Sequence, residues 1–158
     1  MERGVIITDF RPEHAEAFKA LNIAWIAAAH EVEEDDLRVL SDPQKYLLDP
    51  GGAILVALYE DRVVGTCALR KVEDGVFEMT KMTVDESMRG KSIGRLLAHA
   101  IIEKARQLGC KTLDLYSNRK GSAAAINMYH TLGFSEVPLN PGIYKRADIK
   151  MRMELRTP

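Results

Sequence analysis

Cysteine is scarce: the 158 residues hold only Cys67 and Cys110. They form no Cys-x-x-Cys pair, so a zinc or dithiol redox motif is excluded. Two isolated thiols read as buried and reduced in a cytosolic protein. Long apolar runs are missing as well, and no stretch approaches the ~20 residues of a membrane helix. Val5-Ile6-Ile7 is interrupted at once by Thr8-Asp9, too soon for a signal peptide. Excess charge of either sign is absent, the formal net charge being −1. Nothing global therefore points to nucleic acid or an anionic membrane as partner, and any basic site must be local. His14, His30, His99 and His130 show no ligand spacing with one another or with cysteine, so no metal is expected and they read as surface or helix-packing residues. Internal repeats and low-complexity linkers are also lacking. The expectation is one cytoplasmic domain over residues 1–158, long enough to bury a core without staples.

What is present is 46% apolar and 28% charged residues, in two periodicities. Val5–Asp9 reads as a short strand. Pro12 sits at a helix start, where its missing N–H costs nothing. Ala15, Phe18, Leu21 and Trp25 then recur at helical spacing. Trp25 reads either as core or as the wall of a pocket. Glu31, Glu33, Glu34, Asp35 and Asp36 read either as a solvated helix start or as an attractant for a cationic amine. A second short helix is expected across Leu37–Leu40 and Tyr46–Leu48, closed by the turn Asp49-Pro50-Gly51-Gly52. Ala53–Tyr59, Val63–Arg70 and Val76–Val84 are strands joined by two short turns, hence an antiparallel meander. Ile93, Leu97, Ile101, Ala105 and Leu108 mark one face of a long helix closed by Gly109. Thr112–Tyr116 is a strand. Ser122 opens and Gly133 closes a helix carrying Ala125, Ile126, Tyr129 and Leu132. A strand starts at Phe134, and Ile149–Leu155 alternates as a half-buried closing strand. Tyr144-Lys145-Arg146, after a Pro/Gly loop, reads either as acceptor-site lining or as strand edge. This order implies a mixed sheet with helices on both faces.

The most informative run is Arg89-Gly90-Lys91-Ser92-Ile93-Gly94-Arg95, between a strand and the N-terminus of the long helix. A helix start exposes unpaired N–H groups and partial positive charge. Small residues let that backbone approach an anion, and three cations flank it. The pattern suits a diphosphate; a tight turn with a solvated basic rim is the plainer reading. Gly90-Lys91-Ser92 is not a P-loop, since that motif needs Gly where Asp85 stands, and Gly90 and Gly94 have the wrong spacing for a dinucleotide fingerprint.

This run resembles the Arg/Gln-x-x-Gly-x-Gly/Ala motif of the GNAT acetyltransferases. There it follows a strand reading Glu-Leu-x-x-Leu-x-Val, which here is Glu78-Met79-Thr80-Lys81-Met82-Thr83-Val84. Ser92 departs from the usual Gly, which questions a left-handed backbone at that position. A second block, Ala125, Tyr129, Gly133 and Phe134, matches the family's last helix; Ser122 stands where Asn is common, with Ser117-Asn118 as an alternative polar pair. The resemblance covers residues 53–155 well. It implies an α/β (α+β) acyl-CoA N-acyltransferase fold with about seven mostly antiparallel strands. It implies acetyl-CoA as co-substrate, no metal, and a small-molecule or peptide amine as acceptor, with a homodimer as one assembly state; a protein lysine or N-terminal acetyltransferase and a non-catalytic acyl-CoA-binding module are the alternatives. The cofactor would lie between strands splayed near Met82, Thr83 and Val84, its pyrophosphate on Arg89, Gly90, Lys91, Ser92, Ile93, Gly94 and Arg95, with Asn118 and Ser122 nearby. Glu78 would be the base and Tyr129 the acid; a structural strand residue and a core tyrosine are the plainer readings.

Overall fold

The computed structural model describes residues 4–140 and 146–155. Strand β1 (Val5–Asp9) leads through a 3-10 turn at Pro12–His14 into α1 (Ala15–Ala29). Helix α2 (Glu34–Ser41) follows. The meander is β2 (Ala53–Tyr59), β3 (Arg62–Glu73) and β4 (Val76–Val84). Then come α3 (Ile93–Gln107), β5 (Thr112–Ser117), α4 (Ala123–Leu132), β6 (Ser135–Val137) and β7 (Ile149–Glu154). Within the described residues these strands form one seven-stranded sheet, ordered β1-β2-β3-β4-β5-β7-β6. Every pairing is antiparallel except β4 with β5.

Local chemistry explains most of these elements. Glu60 and Asp61 both take positive φ, 50° and 62°, the two-residue hairpin geometry that matches strand twist. β2 is a continuous buried run over Ala53–Ala57 because helices cover both of its faces. β7 buries Ile149, Met151 and Met153, as its alternation predicts. Gly65 is demanded by close approach, since a Cβ there would lie 2.9 Å from Leu97 Cδ1 of α3.

Alternation along the sheet divides the interior in two. Leu55, Cys67, Leu69, Phe77 and Met79 face α3 and α4 in the larger core. Ile54 and Ala68 face the other way, meeting Phe18, Ile26, Leu40 and Leu47.

Several expectations need correction. The second helix is two pieces, α2 and a single wide turn at Gln44–Leu48, because Pro43 follows Asp42 and cannot donate a helical hydrogen bond. The buried stripe of α1 is Phe18, Asn22 and Ile26, not Ala15, Leu21 and Trp25. Asn22 interrupts the apolar pattern that the sequence reading follows. β6 begins at Ser135; the Phe134 amide is bonded back to the Tyr129 carbonyl at 3.0 Å. Ser122 occupies the cap position of α4 but makes no capping hydrogen bond from its side chain. Tyr144 and Lys145 lie outside the described residues.

Candidate active site

The β4–β5 ladder runs from Val76↔Thr112 to Met79↔Leu115 and extends no further, although both strands continue. The strands thus part at Met79, earlier than the Met82–Val84 expected. A cleft of about 400 Å³ opens there. Met82, Thr83 and Val84 form one wall; Ser117, Asn118 and Ser122 stand on the other.

A bulge on β4 helps to part them. Thr66 pairs with Thr83 and Ala68 with Thr80, so Lys81 and Met82 together oppose Cys67 alone. Lys81 takes φ 54°, the left-handed region. Two side chains hold this irregularity. The Thr66 hydroxyl donates to the Lys81 carbonyl at 2.8 Å. Asn22 Nδ2 donates to Thr66 Oγ1 at 3.1 Å and to the Phe18 carbonyl at 2.9 Å.

The basic turn closes one end of the cleft. Ser92 adopts φ 62° and ψ 16°, so serine keeps the left-handed conformation that glycine would supply more cheaply. Gly90 is also left-handed, and a Cβ on it would meet nothing within 4 Å. A Cβ on Gly94 would meet only Val84 Cγ2, at 3.9 Å. The helix start therefore faces open space with small residues, a cradle able to admit a diphosphate. Arg89 and Gly94 reach the cleft wall. Ile93 is buried, and Arg95 turns away to donate to Thr131 Oγ1 at 3.1 Å. Lys91 is exposed.

Glu78 and Tyr129 both line the cleft, from opposite faces of the sheet. Glu78 is only 3% exposed and is paired with Arg70 at 3.1 Å. Alternation turns it away from Phe77 and Met79, toward Asn22 and Trp25 of α1. Tyr129 is buried among the α3–α4 core and packs edge-on against Phe134, with centroids 5.8 Å apart. Burial, and then the neighbouring Cys67, push its phenol well above the usual tyrosine range. It is a protonated donor at neutral pH. Among the described residues its hydroxyl makes no hydrogen bond.

These features agree with a family comparison. The acetyltransferase (GNAT) family model matches residues 14–134. The chain belongs to the GNAT acetyltransferase family. This GNAT chain is 36% identical over 95 residues to N-acetylaspartate synthetase of Xenopus tropicalis, covering 60% of this chain and 35% of that protein. It is 30% identical over 102 residues to the uncharacterized N-acetyltransferase YvbK of Bacillus subtilis, covering 63% and 65%. It thus spans about a third of the first relative and about two thirds of the second. Among solved structures, a GNAT acetyltransferase of Staphylococcus aureus Mu50 superposes with TM-score 0.85 at 19% identity, over 96% of this chain and 99% of that one. The yncA structure of Salmonella typhimurium, described with its cofactor acetyl-CoA, gives TM-score 0.75 at 20% identity over 96% and 94%. These likenesses establish the GNAT fold.

The acidic stretch divides: Glu31, Glu34 and Asp35 are exposed around the start of α2, as the solvated reading expects, whereas Asp36 is drawn inside. Asp36 is 4% exposed and belongs to an internal ion cluster. Arg146 donates to it twice, Nη2 to Oδ1 at 2.8 Å and Nη1 to Oδ2 at 2.9 Å. Lys81 Nζ lies 3.3 Å from Oδ1, and the Glu33 amide donates to Oδ2 at 3.0 Å. Burial opposes the charge, but the Arg146 hydrogen bonds, the Glu33 amide and the Lys81 charge outweigh it and hold the carboxyl at about 2. Arg146 also reaches Glu33 at 3.2 Å.

Trp25 lines the cleft and so joins the wall rather than the sealed core. Asn118 lines it too, but its amide is engaged: Nδ2 donates to the Arg146 carbonyl at 2.7 Å, and Oδ1 accepts from Lys120 and Gly121. It shapes the turn after β5. Asn22, Thr66 and Lys81 are the site residues that the sequence reading left without a role there; Arg146, read as acceptor-site lining or strand edge, lines the cleft. Asn22 alone carried a signal, a polar residue on a buried helical stripe.

Proposed function

We propose that this GNAT chain transfers an acetyl group from acetyl-CoA to a primary amine, by direct attack with both substrates bound. One observation carries the reading: the β4–β5 gap that begins beside Met79 is flanked by Glu78 on one face and Tyr129 on the other. Acetyl-CoA supplies an acetyl group activated as a thioester. The turn Arg89–Arg95 is suited to the pyrophosphate, and the backbone of Met82 and Val84, beyond the end of the ladder, can pair with the amides of the pantetheine arm. An alkylamine, with a pKa near ~10.4, must lose a proton before it attacks. Glu78 takes that proton, directly or through one water. The amine nitrogen bonds to the acetyl carbon, the carbon–sulfur bond breaks, and Tyr129 Oη gives its proton to the sulfur; the second proton that the nitrogen sheds as the amide forms restores the phenol through solvent, and Glu78 releases the first to water. Burial favours this role, since it keeps the phenol protonated until the sulfur needs the proton. Both thiols of the chain are free and buried, as suits a cytoplasmic enzyme.

Calorimetry with CoA and a turnover assay with a panel of amines test the reading. CoA binding with release of free thiol is the expected result. Glu78→Gln should lower turnover and alter the acidic limb of the pH–rate profile, with CoA affinity little changed. Absence of CoA binding would remove the assignment.

A further inference from the structure

On the α1–α2 side of the cleft two cations join Glu78 on the wall, and their own counter-ions lie outside the lining. Lys81 and Arg146 line the cleft. Their counter-ions, Asp36 and Glu33, stand behind them around the start of α2. A carboxylate has about four lone-pair sites. Those of Asp36 are taken by Lys81, the Glu33 amide and both Arg146 amino groups. Asp36 therefore has no acceptor left for a cationic ligand. The acid on the cleft wall, Glu78, is committed to Arg70 and to the proton transfer proposed above. Lys81 differs. An ammonium has three donors and no acceptor. Among the described residues Asp36 is its one partner, and the side chain is only 12% exposed.

We infer that the acceptor is an amine that also bears a carboxylate, a free amino acid, and that Lys81 receives the carboxylate within the field of Arg146. The inference rests on the acetyl-transfer reading and specifies its substrate. A carboxylate completes the hydrogen bonding of Lys81, whereas a polyamine meets the ammonium of Lys81 and the guanidinium of Arg146 there, with Asp36 already fully hydrogen-bonded. Lys81 and Glu78 stand three positions apart on β4, about 10 Å of strand. An amino acid and one bridging water cross that distance, setting the nitrogen at Glu78 and the carboxylate at Lys81. The bulge gives Lys81 this position. Its left-handed backbone, pinned by Thr66, turns the side chain toward Asp36 and the cleft.

The test measures thiol release from acetyl-CoA with phenylalanine, methionine and leucine, with the decarboxylated amine of each, and with aspartate, glutamate and spermidine. A hydrogen bond between charged groups is worth about 10–100-fold, so wild-type kcat/KM should favour amino acids over their matched amines by that factor. Lys81→Gln should erase the ratio, mainly by raising KM for the amino acids, and Lys81→Arg should retain most of it. Should the Gln variant not fold, the wild-type ratio decides alone. Higher kcat/KM for spermidine or the decarboxylated amines, no acetylation of any amino acid by a protein that binds CoA, or a ratio that survives Lys81→Gln would each overturn the inference. Calorimetry separates the two levels: failure to bind CoA defeats the acetyl-transfer reading itself, whereas CoA binding with the wrong preference defeats only this one.

Discussion

The two faces of the sheet are built by different means. On the α3–α4 face, Leu97, Ile101, Ile126 and Tyr129 pack onto alternating strand residues in an apolar core. Its one conspicuous site feature, the basic turn, is local in sequence. On the α1–α2 face, polar groups far apart in the chain are joined. Asp36 meets Arg146, Asn22 meets Thr66, and Lys81 reaches Asp36. The first face supplies a generic cradle through backbone and volume. The second sets a particular pattern of charge, which only a limited set of acceptors can match. In the function proposed above, cofactor binding and acceptor choice fall on separable parts of one cleft.

Substitutions can break that division. The largest effect is expected at Tyr129, on the α3–α4 face. Tyr129→Phe keeps the ring and its Phe134 contact but removes the proton. Loss of a general acid costs typically ~10²–10⁴-fold in kcat, with acetyl-CoA affinity and Tm nearly intact. Steady-state kinetics alongside a thermal melt check this, and wild-type turnover would make Tyr129 a packing residue.

Next comes Asp36→Asn, which takes from Lys81 its one counter-ion among the described residues and leaves Arg146 with Glu33. Breaking one side of a buried ion pair costs about 3–5 kcal/mol, measurable by urea unfolding. If the two faces are separable, the folded fraction should still bind CoA with wild-type affinity.

Acid titration probes the same group more gently. The Asp36 carboxyl falls from its ordinary 3.8 to about 2 on folding. Because the folded value is depressed, its stabilisation is fully present above about pH 4 and is lost as pH falls through about 2. The amount is roughly 2 kcal/mol, and Asp36→Asn should flatten the stability curve over that window.

The smallest effects should fall on the cofactor turn, and they should leave stability untouched. Gly94→Val points volume into open space beside Val84, so folding should survive while CoA affinity drops about 10-fold or more as the phosphate approach is blocked. Arg89→Ala should weaken binding only a few-fold, roughly one exposed charge's worth, and less so at high salt. Calorimetry at two ionic strengths distinguishes the pair. An equal loss in both variants would show that side-chain charge, not backbone approach, holds the anion.

The sequence by itself determined most of the periodic elements, the meander, the closing alternation of β7 and the basic, small-residue turn before α3. Each depends on residues within a few positions of one another, and backbone sterics and helix periodicity act at that range. It also placed Glu78 and Tyr129, through blocks whose spacing is local. It could not place Asp36: a run of five acids reads as solvated until Arg146, 110 residues away, is brought against it. Ser92 looked doubtful for a left-handed backbone, yet the surrounding turn imposes φ 62° on it. Thr66 carries no signature, and Asn22 only that of a polar residue on a buried helical stripe, because their roles exist only once α1 lies over the β4 bulge. Tertiary structure alone decided the charge pattern of the acceptor side, since an ion pair is defined by distance in space and its members need no relation along the chain.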